Sequence, residues 1–136
     1  MRHRNVTLLL FFAALAVLTA WGREDRLVNT GTAPAAEGKV ITSTDRNANT
    51  SVEVQVKHMA TPQSLTPPRQ NYLVWVQPRG KDPELLGVLR VNSDLEGSLK
   101  ATTPHKDFEV FVTGEDNVRP ETPSSTVILK GAVERK

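Results

Sequence analysis

Tyr72-Leu73-Val74-Trp75-Val76-Gln77 decides the fold class of this chain. Five of its six residues are apolar, and they fall at both odd and even positions. A strand exposes alternate side chains to opposite faces, so this run reads as a central strand buried on both sides. Pro78-Arg79-Gly80-Lys81-Asp82-Pro83 comes next as a turn, and Glu84–Val91 reads as the returning hairpin partner.

Upstream, residues 61–70 contain Pro62, Pro67 and Pro68 and read as a loop. Before that loop, Thr50–Met59 alternates cleanly: Val52, Val54 and Val56 share one face, and Glu53, Gln55 and Lys57 share the other. His58 continues the valine register and is expected to point inward or to the rim of that face. Lys39–Thr44 is short and β-branched, as an edge strand would be.

Downstream, Asn92-Ser93-Asp94 marks a turn and Glu96–Thr102 a further strand. Asp107–Thr113 places Phe108, Val110 and Val112 on one face, with Glu109, Phe111 and Thr113 on the other. A polar loop over Asp116–Ser125 leads to Thr126–Val133, with Val127 and Leu129 on one face and Ile128 and Lys130 on the other. About seven strands with turn signals between them predict an all-β fold, an immunoglobulin-like antiparallel β-sandwich. Trp75, Tyr72 and Phe108 are its expected core scaffold.

The N-terminus differs in kind. Arg2, His3 and Arg4 precede an uncharged, mostly apolar run from Val6 to Trp21, which predicts a hydrophobic helix. Positive charge before the run directs the downstream chain out of the cytoplasm. Sixteen residues at ~1.5 Å rise give ~24 Å, nearer a signal-peptide core than a ~30 Å span. Ala20-Trp21-Gly22 suits cleavage before Arg23, whereas Trp21 suits an interfacial anchor. Residues 1–22 are therefore either a signal peptide or a membrane anchor. Residues 23–38 read as a flexible tether and 39–136 as the β-domain.

The charge balance narrows the partners. Residues 1–22 carry Arg2 and Arg4 of the 17 basic residues and none of the 15 acids. The remainder is formally neutral, with no basic stripe for nucleic acid. Cysteine is absent, which excludes disulfides, thiol nucleophiles and thiolate metal sites.

Each chemical motif has a plainer reading. His105, Asp107 and Glu109 alternate along a strand and would share one face, but no closing metal ligands are evident. Glu115-Asp116-Asn117 lacks the ligand pattern of a calcium loop. No nucleophile elbow, phosphate loop or dinucleotide fingerprint occurs. No catalytic, cofactor-binding or metal-binding residue is expected. Leu65 and Val118 are apolar residues inside otherwise polar loops, and they mark the candidate partner-binding loops.

Tyr72-Leu73-Val74-Trp75-Val76, its turn, and Leu86-Gly87-Val88-Leu89-Arg90-Val91 resemble the extracytoplasmic C-terminal domain of anti-sigma-K factors. The later elements match in order: Phe108-Glu109-Val110-Phe111-Val112-Thr113, a Pro-containing loop, then Val127-Ile128-Leu129-Lys130-Gly131. The resemblance covers residues ~50–131 and implies an envelope sensor domain linked to sigma factor regulation. It departs from the family before the apolar run, where only Met1–Asn5 stand. The cytoplasmic sigma-binding domain is thus expected to be lacking.

The expectation is a non-enzymatic interaction or sensory domain of the bacterial cell envelope. Its partner would be an envelope protein or glycan, with membrane contact if the segment stays uncut. The alternatives are a small secreted carbohydrate-active or hydrolytic module, using carboxylates such as Asp94, Asp107 or Glu109, and a purely structural envelope protein.

Overall fold

A computed structural model describes residues 22–134. The hydrophobic helix expected at the N-terminus lies outside the described residues. Eight strands run in order: β1 Arg23–Asn29, β2 Glu37–Thr44, β3 Thr50–Lys57, β4 Asn71–Pro78, β5 Glu84–Leu89, β6 Gly97–Thr103, β7 Asp107–Glu115 and β8 Val127–Glu134. All pairings are antiparallel, in one sheet of order β5-β4-β7-β8-β1-β2-β3-β6. The outer strands β5 and β6 approach each other, and a Cβ at Gly87 would lie 3.3 Å from Leu99 Cδ1. The sheet is therefore nearly closed.

The all-β expectation holds and each of the seven expected strands is present, but they join β1 in one nearly closed sheet, and Lys39–Thr44, expected at an edge, lies between β1 and β3. The tether expectation for residues 23–38 does not describe what is found. Residues 23–29 form β1, the strand that joins the two halves of the sheet. Arg23–Leu27 pairs with β2, while Val28 and Asn29 pair with Lys130 and Leu129 of β8. Four of its seven residues are charged, so it carries almost no hydrophobic signal. Its ordering comes from ladder hydrogen bonds and from Leu27, which is buried in the core. The turn after it is equally ordered. Asn29 Nδ2 donates to Ala33 O at 2.7 Å and Ala36 O at 2.9 Å, and both alanines are buried.

Inside the sheet, Val52, Val54 and Val56 pack with Tyr72, Val74, Val76, Phe108, Val110 and Val112. Each such side chain contributes about 1.5–3 kcal/mol by leaving water. Trp75 is also buried, but on the other face of β4. There it forms a second cluster with Leu73 and Phe111, flanked by Leu85, Val88 and Val127.

Two β-bulges build this second cluster. One lies opposite Val74/Trp75 on β5, and it brings Leu85 and Val88 to the same face although their spacing is odd. The other lies at Val112/Thr113 against β8. A bulge inserts one unpaired residue and reverses the alternation beyond it. Ile128 and Leu129 consequently both enter the main core, and Val127 joins Trp75. The expected grouping of Val127 with Leu129 is corrected accordingly.

Candidate loop-end site and sheet-face groove

Antiparallel topology sends the connections 30–36, 58–70, 90–96 and 116–126 to one end of the sheet. Both loops singled out in the sequence lie there. Their apolar residues have opposite fates. Leu65 is buried in the main core and belongs to the scaffold, which removes it as a contact residue. Val118 is 45% exposed and remains available.

The 58–70 loop is fastened at several points. β3 ends at Lys57, and His58 takes a left-handed conformation with φ 52°. That twist leaves His58 exposed and delivers Met59 to the core, so Met59 occupies the inward position expected for His58. Met59 N donates to Leu95 O at 3.0 Å, tying this loop to 90–96. Tyr72 Oη donates to Ala60 O at 2.5 Å, and burial pushes the Tyr72 hydroxyl up from 10.0 to about 12. Gly114 lies beneath the loop. A Cβ there would lie 2.9 Å from both Leu65 Cδ1 and Arg69 Cγ, so the close approach requires glycine.

Arg69 couples the two loops. Its Nη1 lies 3.4 Å from Asp116 Oδ2, and its Nη2 donates to Thr126 Oγ1 at 3.2 Å. A buried relay holds the 116–126 loop from the other side. Trp75 Nε1 donates to Thr113 Oγ1 at 2.9 Å, and Thr113 donates to Glu115 Oε2 at 2.5 Å. The same carboxylate oxygen accepts from Ser124 N at 2.8 Å, while Ser124 Oγ donates to Gly114 O at 2.8 Å. Glu115 is buried, so these bonds satisfy a carboxylate that would otherwise be costly to enclose. Glu115 and Asp116 are thus engaged within the fold by Thr113, Ser124 and Arg69.

The alternating row from the sequence separates. His105 Nε2 lies 3.0 Å from each carboxylate oxygen of Glu84, at the turn end of the sheet. Asp107 and Glu109 are exposed on β7. They line a shallow groove of about 270 Å³ with Gln77, Arg79, Ala132 and Glu134. Among the described residues no group of three His, Cys, Asp or Glu side chains gathers as metal ligands would. Asp94 sits in the 90–96 loop, at the opposite end from Asp107.

A feature not apparent in the sequence lies on the outer face of β1, β2, β3 and β6. The register aligns Arg26 with Lys39, Lys39 with Gln55, and Gln55 with Ser98. These four side chains form one transverse row. Two adjoining grooves run from it toward the loop end, about 420 Å³ and about 440 Å³ in volume, and both are lined by Gln55 and Lys57. The first also takes in Arg26, Lys39, Glu24 and Glu37, and the second Arg90, Asn92, Glu96 and Ser98. Each is within the size range of a small-ligand site. Lys39 pairs with Glu24 at 3.6 Å, whereas Arg26, Lys57 and Arg90 form no ion pair among the described residues.

Comparison of the chain with family models, curated proteins and solved structures yields no match.

Proposed function

We propose that this chain is a non-enzymatic interaction domain of the bacterial cell envelope, whose nearly closed antiparallel sheet works outside the cytoplasmic membrane. The positive n-region and apolar run of residues 1–22 support export. The observation that carries the reading is the loop end. Four connections converge there over the sheet, the Arg69 pair and the Trp75–Thr113–Glu115–Ser124 relay hold two of them, and Val118 projects from one. Rigid presentation of an exposed loop lowers the ordering cost of binding. The resemblance to the outer domain of anti-sigma-K factors adds a class of role, the sensing of an envelope component on behalf of sigma factor regulation.

The topology test exploits the absence of cysteine. Val118→Cys in the full chain, probed with a membrane-impermeant maleimide on spheroplasts, should label before lysis. Labelling only after lysis would overturn the proposal. The carboxylates along the Asp107–Glu109 groove favour one second reading, a hydrolytic module. Hydrolysis of envelope glycans by the full chain, abolished by Asp107→Asn or Glu109→Gln, would establish that reading instead.

A further inference from the structure

We propose that the double groove on the outer face of β1, β2, β3 and β6 binds an anionic polysaccharide laid across the strands. This deepens the envelope-binding reading and rests on it for the biological source of the ligand.

The shape argues for an extended ligand. The Arg26-Lys39-Gln55-Ser98 row crosses four strands, and strands lie ~4.8 Å apart. That step is close to the length of one sugar unit, so successive units meet successive side chains. The second groove continues past Lys57 to Arg90 and Asn92.

The charge argues for an anion. Arg26, Lys57 and Arg90 are exposed and unpaired among the described residues, and Lys39 is shared with Glu24. Guanidinium groups take carboxylate or phosphodiester oxygens through paired hydrogen bonds, and ammonium groups take them as point charges. Glu37 and Glu96 lie among these cations and separate the positive positions. A chain with its charges spaced along it fits that alternation better than a compact polyanion.

The lining argues for sugar rather than protein. Leu27, Ala36 and Val56 are its main apolar members, and all three are buried. Among the described residues no aromatic side chain lines either groove, and Val28, the large aliphatic residue exposed on β1, lies outside both linings. Gln55 Nε2 donates to Glu53 and Asn92 Oδ1 accepts from Asp94 N and Glu96 N, which leaves the Gln55 amide oxygen, the Asn92 amide nitrogen and the Ser98 hydroxyl for sugar hydroxyls.

The test uses the full chain in a neutral detergent with two fluorescent probes, an oligogalacturonate and a glycerol-phosphate oligomer, monitored by anisotropy. At least one probe should bind, more weakly as salt rises. Lys57→Ala with Arg90→Ala should weaken binding at least about tenfold, as expected for losing two charge-assisted contacts. Arg79→Ala with Lys81→Ala, at the opposite end, should leave it unchanged. Preference for one probe assigns the anion as carboxylate or phosphodiester. Absence of binding to both, or equal weakening by the two double variants, would overturn the proposal. Near-ultraviolet dichroism from the buried Trp75 confirms that each variant is folded. The outcome is independent of the maleimide result, so failure of the groove and failure of the envelope reading are separable.

Discussion

Trp75 Nε1 donates to Thr113 Oγ1 at 2.9 Å, across the pairing of β4 with β7. The indole ring also stacks on Phe111, with centroids 6.3 Å apart and planes 10° from parallel. Trp75 is therefore both the centre of the second apolar cluster and the first member of the relay that reaches the 116–126 loop. Scaffold and loop are joined through one side chain. Trp75→Ala should cost about 3–5 kcal/mol in urea denaturation. Trp75→Phe keeps an aromatic ring against Phe111 but loses the donor, and should cost about 1–3 kcal/mol.

Thr113→Val tests the relay without emptying the cluster. It removes the hydroxyl that links Trp75 to Glu115 and leaves both buried groups short of a partner. The expected loss is about 1–3 kcal/mol. Hydrogen exchange should accelerate at the Ser124 amide, which shares Glu115 Oε2, while amides of β3 keep their protection.

Leu65 and Val118 should diverge on truncation. Leu65→Ala opens the main core and is expected to cost about 2–5 kcal/mol. Val118→Ala changes an exposed side chain and should stay within about 0.5 kcal/mol of the parent. Thermal melts of the two variants compare them directly. Gly114→Ala should also destabilise, by about 1–3 kcal/mol, because its methyl group would press on Leu65 and Arg69.

Tyr72 is the sole tyrosine, so spectrophotometric titration reports it alone. Burial raises its folded-state value to about 12 from 10.0. Between these values the unfolded chain gives up the proton and the folded chain keeps it, so unfolding is favoured as pH rises. The stability contributed by the neutral hydroxyl is complete below pH 10 and declines from there to about pH 12. An absorbance midpoint near 10 in the native protein would contradict the burial of this hydroxyl and its bond to Ala60.

The legible parts of the fold are those in which burial tracks sequence period. Val52, Val54 and Val56 alternate because one face of β3 is wet, and the Tyr72–Val76 run is continuous because both faces of β4 are covered. β1 leaves no such pattern because its place in the sheet depends on ladder hydrogen bonds to β2 and β8 rather than on apolar content. The faces of Val127, Ile128 and Leu129 depended on a bulge, which leaves no mark in hydrophobic period. The outward turn of His58 is hidden for a related reason, since one left-handed residue moves the inward position to Met59.

The candidate site was legible only where a residue stood out from its neighbours. Leu65 and Val118 did so, but an isolated apolar residue in a loop reads the same whether it tucks in or projects. The Arg26-Lys39-Gln55-Ser98 row was invisible. Its members become neighbours only through the pairing of four strands, and Ser98 is far from Gln55 in sequence. Arg26 also lay in the segment that reads as a tether.

The most direct measurement of the central claim is photo-crosslinking in living cells, with a photoreactive residue replacing Val118 or Lys57 near the loop end, or Lys106 at the opposite end of the full chain. The account predicts adducts with an envelope component from Val118 and Lys57 and none from Lys106. Adducts of equal yield from Lys106, or none from either loop-end position, would contradict it.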